Sequence, residues 1–340
     1  MVNLGDIAKA TGYSKATVSR ILSGDPSFTA KESTRHRVIH VANELGYALR
    51  TSRAGVPQTI AVLENFDPTN GPQDSYFSDV RKALRERAVE NMMSLAFFPT
   101  VDALIDAADE FSGFVSIGPA PIAQDDLDRL YEALSHGVFI DINPAPALFH
   151  SVRPDLQQTV IDAIYALREQ GRQRIAFIGG AGHMMGSHVF AQDPRTVTFN
   201  EWAHLLDMPT DGYVCASGPF TVENGRSQAE ALLDACTDDL PDAVLVAADP
   251  LAVGVIQVLA ARGLRVPDQI AAVSIDNLEV CEYTAPTLSS YAIDRSELAE
   301  TALMLLSDAI VGRFMHKHHV LLSTRLVVRQ SFIPANGATA

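Results

Sequence analysis

A glycine-rich run near the middle of the chain has the residue types that can bind a dinucleotide phosphate. The run GAGHMMG, residues 180–186, follows an apolar stretch, as do the loops whose backbone N–H groups contact a pyrophosphate. Its last glycine comes one residue late for the spacing G-x-G-x-x-G, and the run does not follow the first predicted strand. We therefore interpret it as a loop, and a Rossmann-like enzyme remains as an alternative.

Other catalytic and metal-binding patterns are missing from the sequence. It contains neither the G-x-S-x-G turn of a serine nucleophile nor the phosphate loop G-x-x-x-x-G-K-[ST]. Histidines cluster at His183 and His188 and again within 316–319, but neither cluster has the cysteine or acidic spacing of a zinc site. The sequence accordingly predicts no catalytic residue, no metal and no cofactor. The three cysteines are predicted to be reduced, buried thiols: Cys215, Cys236 and Cys281.

Electric charge is divided unevenly along the chain. The formal net charge of −15 argues by itself against a nucleic-acid partner. Residues 1–56 nevertheless contain eight basic and four acidic residues, a net charge of +4 that leaves −19 for the remainder. A basic head on an acidic body suits local contact with DNA phosphates while the body is repelled elsewhere.

Length and hydropathy indicate a cytoplasmic protein of several domains. A chain of 340 residues suits two or three domains. No apolar run reaches the roughly 18–20 residues of a membrane span, and the first residues lack the basic head and apolar stretch of a signal peptide. We expect no membrane segment.

Three short helices are predicted in the first fifty residues. The first has apolar residues at helical spacing and ends at Thr11-Gly12. Ser14 is the predicted N-cap of a second helix from Lys15 to about Ser23. A third helix is predicted over about 31–45. Because a tight glycine-containing turn joins the first two, the pattern predicts a helix-turn-helix.

From residue 60 onward, short apolar strands alternate with amphipathic helices. This rhythm predicts parallel, doubly wound sheets, and eight such units suggest two Rossmann-like lobes. Ligands of such folds bind at the carboxyl ends of the strands, here between the lobes. The predicted strands are 60–63, 94–98, 113–117, 138–141, 174–178, 212–215, 243–246 and 270–275. Helical patterns between them include 76–91, 156–170, 221–235 and 250–262.

The run DIAKATGYSKATVSRILSG, residues 6–24, closely resembles the DNA-binding head of the lactose-repressor/galactose-repressor family. Residues 44–47 close the head as in that family. Further segments similar to the family are 171–180, 245–254, 273–277 and 286–289, so that the likeness extends from about Asn3 to Phe332.

The resemblance implies an N-terminal all-α helix-turn-helix headpiece followed by an α/β periplasmic-binding-protein-like domain of two doubly wound parallel-sheet lobes. The expected limits are 1–47 for the headpiece and 48–58 for the linker or hinge. The N-lobe is expected at 59–156 plus about 291–318, and the C-lobe at 157–290 plus about 319–333.

The resemblance also places the second helix in the major groove of DNA. Lys15 and Ala16 occupy the two positions that choose bases, where Lys15 would donate to guanine and Ala16 would contact a thymine methyl group. Arg20 is expected to contact a base or a phosphate. Phosphate contacts that set the register are expected from Ser14, Thr17 and Ser19. For Thr17 and Ser19, ordinary helix surface remains an alternative.

The linker departs from the family pattern. Residues 47–57, YALRTSRAGVP, lack the Pro-Asn pair of many relatives, and Val56 stands where a hinge-helix leucine would be. Arg50 and Arg53 are still expected to bind phosphate. Whether the linker inserts an apolar wedge that kinks DNA stays open.

The family's small-molecule contacts fall on polar and aromatic residues. Arg195 matches a cleft arginine whose fork can donate to sugar hydroxyls, and Asp276 matches a strand-end carboxylate. Unpaired charges in a cleft are costly, which favours a ligand role for this pair. Phe220 matches an aromatic that packs on a ligand ring, and Ala248 stands where some relatives have Asn or Ser. The N-lobe is expected to contribute Tyr76, Phe77 and Asp141; core packing remains an alternative for the aromatics.

Together these features predict a DNA-binding transcriptional regulator, a repressor by preference, that a small sugar controls. A homodimer would bind a pseudo-palindromic operator, and the effector would be a mono- or disaccharide, with a galactoside as the first candidate. Induction is favoured over corepression, which stays open. The protein would be cytoplasmic and associated with the nucleoid when bound to its operator. The alternatives are a Rossmann-like enzyme and a solute-binding module with a helical N-terminal cap.

Overall fold

The computed structural model describes most of the chain beyond the head and linker. The described residues are 4–22, 28, 30, 31, 34, 37, 38, 41, 42, 58–65, 75–181, 184, 185, 188, 189, 193–236 and 239–335. The predictions for Arg50, Arg53, Val56 and the rest of the linker through residue 57 lie outside these residues.

Two helices of the head follow the sequence prediction. Helix α1 is Leu4–Thr11 and α2 is Lys15–Leu22. Ser14 caps α2, because its Oγ accepts a hydrogen bond of 3.0 Å from the backbone N–H of Thr17. The turn between the helices contains Gly12 at φ +79°, a conformation that suits glycine after a helix. The predicted helix stop and N-cap are confirmed.

A small apolar core joins the helices of the head. Ile7 of α1 and Val18 of α2 are buried, together with Val38 and Ala42 from the third predicted helix. Only isolated residues of that third helix, 31–45, are described. Their burial shows that Val38 and Ala42 pack against the first two helices.

The remaining elements alternate along the chain. The first group comprises β1 Thr59–Glu64, α3 Ser75–Glu90, β2 Ser94–Phe98, α4 Val101–Asp106, β3 Gly113–Ile117, α5 Gln124–Ala133, β4 Gly137–Ile140 and β5 His150–Pro154. The second comprises α6 Leu156–Glu169, β6 Ile175–Gly179, β7 Met184–Met185, β8 His188–Val189, α7 Pro194–Leu205, β9 Val214–Ala216, α8 Val222–Ala235, β10 Ala243–Val246, α9 Asp249–Ala261, β11 Ala271–Asp276 and β12 Ser289–Ala292. The chain then forms α10 Arg295–Ile310, β13 His319–Leu322 and β14 Arg325–Val327.

Two six-stranded sheets organise these elements. The first has the order β13-β5-β4-β3-β1-β2 and is parallel throughout. The second has the order β14-β12-β11-β10-β6-β9 and is parallel except where β14 pairs with β12. The central strands are buried along their whole length, as expected for sheets covered by helices on both faces. The predicted two-sheet α/β architecture is confirmed.

Close helix packing in the second lobe depends on two glycines. Helices α8 and α9 cross where Gly225 faces Leu251 and Gly254 faces Val222. A Cβ at Gly225 would lie 2.1 Å from the carbonyl oxygen of Leu251, and one at Gly254 would lie 2.2 Å from that of Val222. Any side chain at either position would therefore push the helices apart.

The C-terminal segment corrects one expected limit. We expected the chain to enter the C-lobe for the last time near residue 319. Strand β13 instead pairs with β5, in a register that places Leu322 beside Pro154, so the crossing falls at residues 323–324. Only these two residues separate β13 in the first sheet from β14 in the second. So short a connection leaves no mark in the hydropathy of the sequence.

Candidate functional site

A cavity of about 520 Å³ lies where the carboxyl ends of the strands in the two sheets face each other. Open parallel sheets bind ligands at this edge. All seven residues predicted to contact a small molecule line the cavity: Tyr76, Phe77 and Asp141 from the first lobe, and Arg195, Phe220, Ala248 and Asp276 from the second.

The strand ends explain why these residues meet. Asp141 directly follows β4, and Asp276 is the last residue of β11. Both have positive φ angles, +69° and +111°, and Asn277 follows at +53°. Non-glycine residues rarely adopt such angles, and those that do are found repeatedly at functional sites. The turns direct both carboxylates into the cavity.

Arg195 is held in place by a residue that the sequence analysis did not identify. Its Nε and Nη2 donate to Oδ1 and Oδ2 of Asp193 at 2.7 and 2.9 Å, and its Nη1 donates to the carbonyl of Ala247 at 2.6 Å. The partner of Arg195 is thus Asp193, not Asp276. Asp193 is also the N-cap of α7, and the sequence Asp-Pro at a helix start is a signal that could have revealed it.

The Arg195 guanidinium also packs on an aromatic ring. It lies 4.7 Å from the ring centroid of Phe220, a distance at which a cation is attracted to the ring face. The same ring covers Gly180, where a Cβ would lie 2.4 Å from Cε2 of Phe220. The first glycine of the GAGHMMG run therefore makes room for an aromatic side chain of the cavity.

Asp141 is only partly satisfied by its surroundings. The hydroxyl of Tyr76 donates to Oδ1 at 2.9 Å, whereas Oδ2 is buried without a hydrogen-bond partner. Burial raises the pKa of Asp141 to about 7, although the hydrogen bond from Tyr76 and the charge of Arg195 oppose the shift. The carboxyl group can accept another hydrogen bond at Oδ2.

Asp276 is influenced by a second, buried carboxylate, that of Asp249. Asp249, at the start of α9, is fully buried and accepts hydrogen bonds from the Ser274 and Ser290 hydroxyls and from the Leu278 N–H. Burial, and then the charge of Asp249, raise the pKa of Asp276 well above its ordinary value. The Asp249 network ties the turn after β11 to β12 and thereby positions Asp276.

Arg295 connects this turn to the first lobe. Its Nη1 donates to the carbonyl of Asp276 at 2.8 Å and its Nη2 to that of Asn277 at 3.4 Å. Its Nε lies 3.6 Å from Oδ2 of Asp79 on α3. Arg295 could not be identified from the sequence, because its partners lie far away in the chain.

Apolar groups form most of the remaining wall. Ala248 lines the cavity without a polar side chain, as the sequence analysis expected. An apolar lining with a few fixed polar groups is typical of small-molecule sites. Six prolines contribute to it: Pro119, Pro121, Pro154, Pro194, Pro219 and Pro250.

The predicted DNA-contact residues that are described lie on or beside α2. Ser14, Lys15, Ala16 and Arg20 are exposed, whereas Thr17 and Ser19 are half-buried. Ser14 Oγ shares a hydrogen bond of 2.9 Å with Thr17 Oγ1. The exposed side chains leave the outer face of α2 accessible to a macromolecule.

The described residues contain no other chemical centre of the kinds considered above. Among them, no group of three or more His, Cys, Asp or Glu side chains is arranged to hold a metal ion. None of the helices they form combines the length and apolarity needed to cross a membrane.

Comparison with known proteins gives two matching families. Bacterial regulatory proteins of the lacI family match residues 3–48, and the periplasmic binding protein-like domain matches residues 164–332. The transcriptional regulator LacR of Lactobacillus helveticus is 36% identical over 334 residues, 98% of this chain and 99% of the relative. GanR of Bacillus subtilis (strain 168) is 31% identical over 331 residues, 97% of this chain and 99% of the relative.

Solved structures agree with the fold. The complex of the transcriptional regulator CelR with cellobiose has a TM-score of 0.66 at 24% identity, over 98% of this chain and 100% of that one. The sequence relatives extend over nearly the whole chain, and they are regulators rather than enzymes. The chain therefore belongs to the lacI family of bacterial regulatory proteins and is a DNA-binding transcriptional regulator.

Proposed function

We propose that this regulator is a repressor whose homodimer binds a pseudo-palindromic operator and is controlled by a small sugar in the cavity. The observation that carries the proposal is the convergence of seven predicted positions, from Tyr76 to Asp276, on one cavity between the lobes. Residues so far apart in sequence share no local structural reason to meet.

In the head, exposure supports base contacts from α2. Lys15 and Ala16 are exposed at the start of the helix, where a recognition helix presents its side chains to base edges. Ser14, Thr17, Ser19 and Arg20 would hold phosphates or a further base. Arg50 and Arg53 would add phosphate contacts from the linker.

In the cavity, donors and acceptors suit a neutral polyol. Arg195 offers N–H groups, Asp141 and Asp276 offer carboxylate oxygens, and Phe220 offers an apolar face for a sugar ring. A galactoside is the first candidate. The cellobiose in the CelR complex is a further sugar to test.

Sugar binding would change the angle between the lobes and so weaken operator binding. A ligand shifts such an equilibrium only if it binds the two states with different affinity. Contacts to both lobes at once provide that difference, because a more open state cannot make all of them. The regulator would act in the cytoplasm and lie on the nucleoid when bound to DNA.

The test is fluorescence anisotropy of a labelled DNA fragment from just upstream of the gene, with scrambled DNA as competitor. We expect a salt-sensitive, sequence-preferring complex that one of a panel of mono- and disaccharides dissociates. Lys15→Ala should lower the preference for operator over scrambled DNA by about tenfold or more. No sequence preference, with or without sugars, would contradict the proposal.

A matched control separates base recognition from general charge. Lys9 carries the same charge on the exposed surface of α1. Lys9→Ala should weaken binding to operator and scrambled DNA to a similar extent, which leaves the preference unchanged. An equal loss of preference in both variants would count against the role of Lys15.

A further inference from the structure

One charged group of the cavity is not used by any contact described so far. Arg153 on β5 lines the cavity, and its Nε is buried without a hydrogen-bond partner. Within the described part of the chain, no ion pair includes its guanidinium. Burial lowers its pKa, while the charges of Asp155 and Asp141 act in the opposite direction. A buried donor without an acceptor is costly, so that a bound molecule would supply what the protein does not.

Strand register places Arg153 beside Asp141. In the parallel pairing of β4 with β5, Ile140 lies opposite Val152. The N–H of Asp141 continues this ladder by donating to the carbonyl of Val152 at 3.1 Å. Asp141 and Arg153 are therefore neighbours at the carboxyl edge of the first sheet. One has a buried acceptor without a partner and the other a buried donor without a partner.

The second lobe presents the same pair of chemical groups. Asp276 supplies a carboxylate, and Arg195 uses three of its five N–H groups within the protein, which leaves two for a ligand. Each wall thus has one carboxylate and one guanidinium with unused hydrogen-bonding capacity. Neighbouring hydroxyls of a sugar ring both donate and accept hydrogen bonds. One ring can therefore satisfy the carboxylate and the guanidinium of one wall, which we call a couple.

We propose that Asp141 and Arg153 form a second sugar-ring subsite and that Arg153 makes the cavity select a disaccharide over a monosaccharide. The inference rests on the proposed control by a sugar. On this proposal a monosaccharide would satisfy one couple and leave the other unsatisfied, whereas a disaccharide would place one ring at each. The cavity of about 520 Å³ lies within the range of roughly 300–1,000 Å³ that is usual for small-molecule sites.

The charges of the wall favour a neutral ligand. The lining contains four acidic side chains against the two guanidinium groups of Arg153 and Arg195. Asp193 already neutralises Arg195. An anionic ligand such as a sugar phosphate would meet the Asp155 side chain and would further disfavour the ionised forms of Asp141 and Asp276, at an electrostatic cost. The guanidinium of Arg153, which forms no ion pair with the described residues, is thus suited to donate hydrogen bonds to hydroxyl groups.

The test is isothermal titration calorimetry of the full-length protein with lactose, cellobiose and melibiose, and with galactose, glucose and galactose 6-phosphate. We expect at least one disaccharide to bind more tightly than the monosaccharides and the phosphate. Arg153→Met should weaken disaccharide binding about tenfold and change monosaccharide binding by less than about twofold. Arg153→Lys keeps the charge but loses the forked set of N–H donors. Its affinity for the disaccharide should lie between those of the unaltered protein and of Arg153→Met.

The control is Arg265→Met, which removes an exposed arginine that does not line the cavity; it should leave the ratio of the two affinities unchanged. An unchanged ratio in both Arg153 variants, or tighter binding of galactose 6-phosphate, would overturn this inference while leaving sugar control intact. Failure of the unaltered protein to bind any sugar would overturn the proposed sugar control, and the inference with it. A variant that is merely less stable would bind disaccharide and monosaccharide more weakly by the same factor. A change in the ratio of the two affinities therefore identifies a specific role of Arg153.

Discussion

The two walls of the cavity differ in how far the protein satisfies their polar groups. On the second-lobe wall, Arg195 makes three side-chain hydrogen bonds, and Arg295 holds the carbonyl of Asp276. On the first-lobe wall, Asp141 Oδ2 and Arg153 Nε are buried and have no hydrogen-bond partner in the described part of the chain. A wall whose side chains are already held in place binds a ligand with little loss of conformational entropy. Polar groups that lack partners gain hydrogen bonds only when a ligand binds. We expect the second wall to recognise the ligand first and the first wall to complete the contacts as the lobes close.

The largest expected effect comes from removing the support of Arg195. Asp193→Ala deletes two charge-assisted hydrogen bonds to its guanidinium and leaves that charge poorly paired, so sugar affinity should fall about 100-fold. Calorimetric titration with the sugar that dissociates the operator complex measures the loss. Thr100→Ala serves as the control, because it removes an N-cap from α4, which does not line the cavity. A similar loss of affinity in both variants would mean that cap stability, not the fork, is responsible.

A smaller effect is expected where the second wall contacts the first lobe. Arg295→Met deletes the hydrogen bonds to the carbonyls of the Asp276 turn and the ion pair with Asp79. The turn with its positive φ angles should then be less well ordered, and the sugar concentration that half-dissociates the operator complex should rise about tenfold. Anisotropy titration of labelled operator measures it.

Arg87 offers a matched control for that variant. It also joins α3 to the start of α10, through a hydrogen bond of 2.8 Å to the Ser296 hydroxyl, but none of its described contacts is to the turn after β11. Arg87→Met should leave the half-dissociating sugar concentration nearly unchanged. If both variants shift it equally, the contact with the turn is not what matters.

The last effect concerns stability rather than affinity and isolates the first wall. The pKa of Asp141 is raised from 3.8 to about 7, chiefly by burial. Between these values the folded protein retains a proton that the unfolded chain releases, so the unfolding free energy falls as pH rises through this window. Asp141→Asn removes this penalty, and its stability relative to the unaltered protein should increase by about 1–3 kcal/mol between about pH 4 and about pH 7.

Urea unfolding of both proteins at several pH values measures this difference. Tyr76→Phe sharpens the test, since it removes the hydrogen bond that opposes the shift and should extend the window to higher pH. A stability difference that does not vary with pH would show that the carboxyl of Asp141 is solvated like an exposed one.

Strands with long apolar runs were predictable, and strands with mixed composition were not. The sequences FVSI in β3, VFI in β4 and AVLV in β10 mark central strands that are buried on both faces. Of the strands in the two six-stranded sheets, β5, β12, β13 and β14 were not predicted from the sequence. Strand β5, HSVRP, contains a histidine, an arginine and a proline, and hydropathy alone does not distinguish such a segment from a loop.

Local sequence patterns and the likeness to a known family predicted the helix boundaries of the head and the residues that line the cavity. The cap at Ser14, the helix stop at Gly12 and the apolar periods of the helices depend on residues a few positions apart, and short-range interactions of this kind can be read directly from a sequence. The seven cavity positions came from the likeness of whole segments. All seven line one cavity, which agrees with that likeness.

Only the tertiary structure decided which partner each polar group has. Arg195 contacts Ala247, Arg295 contacts Asp79, and Arg153 lies beside Asp141 with an Nε that has no hydrogen-bond partner among the described residues. Each of these relations joins residues on different elements, and it depends on strand order, register and the turn at each strand end. A hydrogen bond requires its two atoms to lie within about 3 Å of each other, and the sequence by itself does not contain that distance.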